Sequence, residues 1–176
     1  MATPLPIRAN NPGALRPTKD VWIGQTGTIK GEKGYFLTFE SPVYGVRAFF
    51  RNARTQINRG TNIVSDFITL YAPQTENDTN FYISQVAKTL GAKDTVLDFQ
   101  DKAQMTALAK VIFAVESGRR SGWEKTFTDE IISKGYDMAT DTATKPGTTP
   151  GQKDNKIIFY VLIVAALFLY FKFLKK

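Results

Sequence analysis

One carboxylate in this chain stands where a proton donor is wanted: the glutamate of the run Ala114-Val115-Glu116-Ser117-Gly118. Met105, Leu108, Val111, Ile112 and Val115 recur at three- and four-residue steps, which makes a single apolar stripe on a helix. Gly118 can take the left-handed conformation of a helix C-cap, so Glu116 falls in the last turn. That turn is the negative end of the helix dipole, where anions are disfavoured. Dipole and partial burial together push a carboxyl pKa upward, as a general acid working near neutral pH requires. The competing interpretation is a surface glutamate that merely ends a helix.

Composition narrows the chemistry. The 176 residues include no Cys and no His, which removes Ser-His-Asp and Cys-His nucleophile systems and nearly all zinc hydrolases. Carboxylates are left as the working groups, and neither a cofactor nor a metal site is expected. With 43% hydrophobic and 22% charged residues, the bulk of the chain is globular. Of the net charge of +7, residues 151–176 contribute +4 through five lysines set against Asp154. The remaining +3 is scattered, without the basic face interleaved with aromatics that marks nucleic-acid binding. No nucleic-acid partner is expected.

Elements must hold Glu116 in place, and the sequence outlines them. Asn10-Asn11-Pro12-Gly13 is turn chemistry. From Ala14 to Phe39 the chain reads as extended or hairpin structure, punctuated by Gly24, Gly27, Gly31 and Gly34. Ser41-Pro42 opens a helix whose stripe is Val43, Val46, Phe50, Ala53 and Ile57, ended by Gly60. A shorter helix over 62–71 turns Ile63, Phe67, Leu70 and Tyr71 inward and stops at Pro73. After a polar loop, Asp78 or Thr79 caps a helix striped by Tyr82, Ile83, Val86, Ala87 and Leu90. The helix carrying Glu116 follows, capped by Asp98 or Asp101, and a last one runs from about Phe127 to Lys134.

The expected organisation is a domain over residues 1–137, a flexible linker over 138–155 rich in Thr, Gly, Pro, Asp and Lys, and a membrane anchor over 156–176. No export signal is expected at the start of the chain. Ile157 to Phe171 carries no charge. At about 1.5 Å per residue it spans roughly 22 Å, and roughly 27 Å if continued through Leu174. A hydrocarbon core is about 30 Å thick, so a single-pass C-terminal transmembrane helix is expected, with a lipid bilayer as partner through residues 157–174. Tyr160 and Tyr170 suit the two interfaces, while lysines at both ends leave orientation open.

Three pieces of the sequence, the first made of four short motifs, carry a family resemblance. Asn10 to Arg16 (NNPGALR), Trp22-x-Gly24, Phe36-x-x-Phe39-x-Ser41 and Gly45-Val46-Arg47-Ala48 are similar to the β-lobe and following helix of flagellar-type peptidoglycan glucosaminidases. In that family an ALESGWG-like helix end bearing the catalytic glutamate precedes this segment; here AVESGRRSGW, Ala114 to Trp123, lies after it. The order resembles a circular permutation, which nearby domain termini make physically reasonable. Leu70 to Val86 (LYAPQTENDTNFYISQV) resembles a cleft-lining segment of lytic transglycosylases. The Gly-Leu-Met-Gln motif of those enzymes is missing.

The resemblance implies a mainly α, α+β lysozyme-like fold with a small β-hairpin region near its start. It also implies cleavage of the β-1,4 bond between N-acetylmuramic acid and N-acetylglucosamine in peptidoglycan, with Glu116 as general acid. Asn10, Asn11, Tyr71, Glu76, Asn77 and Tyr82 are the expected sugar-binding residues, although Glu76 and Asn77 equally suit a capping loop and Tyr82 the core. Glu40 is the second candidate acid, more simply read as supporting the start of the Pro42 helix. With no evident second carboxylate, a lytic transglycosylase is favoured over a hydrolase. Such strings also occur in phage muralytic and virion proteins, which implies other virion proteins as partners and a virion internal or host membrane as location. The alternatives are a non-catalytic, membrane-anchored virion structural protein that keeps the fold, and a peptidoglycan-binding module.

Overall fold

In the computed structural model, residues 3–75 and 78–141 are described. In chain order they form α1 (Leu5–Arg8), β1 (Gln25–Gly31), β2 (Gly34–Phe39), α2 (Pro42–Asn58), α3 (Val64–Tyr71), α4 (Thr79–Leu90) and α5 (Lys102–Ser117). A 3-10 turn (Trp123–Lys125) then leads into α6 (Asp129–Thr140).

Helix starts follow the expected chemistry. Asp78 accepts a bond from the Phe81 amide at 3.0 Å and Asp101 one from the Gln104 amide at 2.9 Å, which satisfies amides the first turn leaves unpaired. Pro42 stands at the first position of α2, but Ser41 makes no side-chain cap bond. Gly60 and Gly91 have positive φ just past α2 and α4, as expected of helix ends.

The helices bury a continuous aromatic core. Phe113 of α5 packs edge-on against Phe49 of α2 with ring centres 5.0 Å apart, and also meets Trp123 and Phe127. Helices α2 and α6 run so close that a side-chain carbon built on Gly135 would stand 2.4 Å from Val46 Cγ1. The antiparallel strands β1 and β2 bury Leu37 and Phe39 in a smaller cluster with Leu15 and Ala48. The far edge of β2 is covered as well: the Leu37 amide donates to Leu15 O and the Phe39 amide to Ala9 O.

The expected fold class, a mainly α, α+β lysozyme-like domain with a small β-hairpin region near its start and a C-terminal transmembrane helix, is corrected here. The described residues make a mixed helix-and-strand domain with a two-stranded sheet, and no helix among them is long and apolar enough to cross a membrane. The sheet closes a core cluster of its own, so it is a structural partner of the helices. Residues 157–174, where the span was expected, lie outside the described residues.

Smaller differences have local causes. Leu5–Arg8 is a short helix, with prolines in its cap and first turn, which the sequence reading did not assign. In α3 the inward residues are Val64, Phe67 and Ile68, while Leu70 is 54% exposed. Helix α6 runs on to Thr140, past the domain edge expected at 137, because Tyr136 and Ala139 are still buried.

Candidate active site

Glu116 lies in the last turn of α5, which ends against Gly118 at φ +81. It is partly buried and lines a cleft of about 450 Å³. The hairpin side supplies Arg16, Lys33 and Phe36; α2 supplies Asn52 and Gln56; α3 supplies Leu70 and Tyr71. Among the described lining residues Glu116 is the sole carboxylate. Two amides, three aromatic rings, two cations and one acid make a wall suited to a polar, ring-shaped ligand.

Burial pushes the Glu116 carboxyl above the usual carboxylate range, against the pull of the Tyr82 hydrogen bond and the positive charge of Lys33. Tyr82 Oη donates to Glu116 Oε1 at 3.0 Å. Burial, and after it the negative charge of Glu116, holds the phenols of Tyr71 and Tyr82 well above their ordinary value, so both stay protonated donors. One carboxylate oxygen is thereby occupied by Tyr82.

The expected sugar-binding residues separate into distinct roles. Tyr71 lines the cleft, its hydroxyl donating to Gly13 O and its ring stacked on Phe67. Tyr82 is 3% exposed, so the sugar-binding role expected for it is corrected in favour of the core alternative: the ring belongs to the core and the hydroxyl serves Glu116. Asn10 and Asn11 are corrected too. Asn11 is fully buried; its amide donates to Leu15 O and Leu37 O and its Oδ1 accepts from the Leu15 amide, all at 2.9 Å. Asn10, at φ +51, donates from Nδ2 to Phe39 O at 3.0 Å.

These two side chains are spent on backbone, and what they build is the turn that presents Gly13 to Arg16 to the cleft. Ala14 in that turn sits at φ +46, a conformation that costs a non-glycine residue about 1 kcal/mol and that the Asn11 bonds hold in place. Glu76 and Asn77 lie outside the described residues. Glu40 is exposed at the end of β2 and does not line the cleft.

Arg16, Lys33, Asn52 and Gln56 were not singled out as site residues from the sequence. A signal existed for the last two: Asn52 and Gln56 are polar and four residues apart on one helix, so they share a face. The two cations carried none, since their proximity to Glu116 depends on how the hairpin folds over the helices.

Among the described residues no group of His, Cys, Asp or Glu is arranged to hold a metal ion. No protein-family model matches the chain. It is similar to Protein P5 of Pseudoalteromonas phage PM2, 40% identical over 89 residues that cover 48% of this chain and 54% of P5. The chain thus spans about half the length of the curated relative it matches, and it is related over that stretch to a phage protein.

Proposed function

We propose that this domain cleaves the β-1,4 bond between N-acetylmuramic acid and N-acetylglucosamine in peptidoglycan, as a lytic transglycosylase does, with Glu116 as general acid. The observation that carries this reading is a partly buried carboxyl, raised in pKa and fixed through one oxygen by Tyr82, lining a cleft with amides and an aromatic wall. The family resemblance of the Glu116 and Asn10–Arg16 runs agrees with it.

Glu116 gives its proton to the glycosidic oxygen as the bond from that oxygen to the anomeric carbon breaks. A hydroxyl of the same sugar then attacks the anomeric carbon and returns its proton to the Glu116 carboxylate. Atoms and charge balance without an activated water. A hydrolase would need a second carboxylate about 5 to 9.5 Å away, and among the described residues none but Glu116 lines the cleft.

The test is clearing of purified peptidoglycan by the full chain and by Glu116→Gln, with mass analysis of the released sugars. The wild type should clear, and the variant should be slower by about a hundredfold or more. Intramolecular attack yields products one water lighter than hydrolysis products. A wild type that clears nothing, or a variant that clears as well, defeats the reading and leaves a non-catalytic virion component.

A further inference from the structure

Two cations stand on the hairpin side of the cleft. Lys33 lies in the turn joining β1 to β2, and Arg16 follows the Asn11 turn. They belong to one corner of the site: a side-chain carbon built on Gly34 would lie 3.7 Å from an Arg16 guanidinium nitrogen, and that guanidinium sits 5.4 Å over the Phe36 ring, itself part of the cleft wall. The positive charge of Lys33 reaches the Glu116 carboxyl across the cleft. Each of these cations already has an interaction of its own, so an incoming anion would add to existing contacts.

A chain of N-acetylglucosamine alone is neutral and brings no anion to this positively charged corner. A sugar bearing a carboxylate does. We propose that Arg16 and Lys33 are specificity-determining residues that bind a carboxylate carried by the sugar beside the scissile bond, so that the cleft selects acidic over neutral glycans of the same ring skeleton. This rests on reading the cleft as a glycan site. Two sources share the chemistry: the lactyl carboxylate of a muramic acid, and the carboxylates of a peptide attached to it.

The experiment titrates full-length Glu116→Gln, which should bind without turnover, with four probes. These are an alternating glucosamine–muramic acid tetrasaccharide with free lactyl groups, the same compound with those groups amidated, its peptide-bearing form, and a neutral N-acetylglucosamine tetramer. The free-lactyl probe should bind about tenfold tighter than the amidated and neutral ones, with affinity falling as salt rises. Tight binding of the peptide-bearing form alone would assign the carboxylate to the peptide. Adding Arg16→Gln and Lys33→Gln should erase the preference, while thermal unfolding shows the fold intact. Equal binding of acidic and neutral probes, or a preference that survives both substitutions, overturns the proposal. If the preference holds but the wild type clears no peptidoglycan, recognition by the cations stands and the cleavage reading alone is lost.

Discussion

A hydroxyl and a carboxyl 3.0 Å apart, on two different helices, are the smallest unit of the site. Tyr82 donates to Glu116 Oε1, so the acidic proton is left to the other oxygen, and the bond favours the ionised form. Removing it leaves the opposing effect of burial less balanced. The pKa of Glu116 should therefore rise in Tyr82→Phe. The other described groups bearing on it are Tyr71 from α3, held neutral by burial, and Lys33 from the hairpin turn, whose charge pulls the other way. A general acid works only while protonated, so activity falls as pH rises through its pKa. Tyr82→Phe should move that basic limb to higher pH and lower kcat by about tenfold through lost orientation, with KM little changed. A pH profile of peptidoglycan clearing checks this, and a Tyr82 of purely structural importance would leave the limb where it is.

Contacts made away from the cleft determine its shape. Helix α2 comes so near the Asn10 turn that a side-chain carbon on Gly45 would overlap the Asn10 carbonyl oxygen at 1.7 Å. Gly45→Ala must push the turn off the helix, at a cost of about 3 kcal/mol, and should carry Arg16 out of line with Glu116. Urea denaturation with saccharide titration would show lower stability and weaker binding together. At this scale the sequence was readable wherever an apolar stripe met a cap, as in α4 and α5, and the position of Glu116 followed from the stripe and Gly118. It misled where periodicity had two solutions. Leu70 and Ile68 both fit a face of α3, and only the position of the cleft puts Leu70 outward. The asparagines were recognised as turn residues, yet nothing local reveals that Leu15 and Leu37 would consume the Asn11 amide.

Over the described residues, the helices share one aromatic core, and Ala48 of α2 joins the strands in a second, smaller cluster. Phe113 touches aromatic rings from α2, the 3-10 turn and the approach to α6, on the same helix as Glu116. Phe113→Ala should cost about 3 to 5 kcal/mol, a large share of the roughly 5 to 15 kcal/mol by which a domain is stable. Calorimetry should show a drop in Tm of more than about 10 °C. A drop of only a degree or two would mean that the rings do not form one cooperative unit. Phe113 lies outside the apolar stripe that periodicity marks on this helix, and its tertiary reach is not legible there because Phe49 lies far away in sequence.

The hydroxyl that serves the acid arrives on α4, a helix that contributes nothing else to the described cleft wall and whose first turn is tied down by Asp78. On the proposed function, the acidity of Glu116 is thus set in part from outside the cleft wall. Small displacements of that helix would then retune the acidity of the site while the surface facing the ligand keeps its form. A lineage of such proteins would be able to shift its working pH by substitutions remote from the ligand, without re-evolving what it binds.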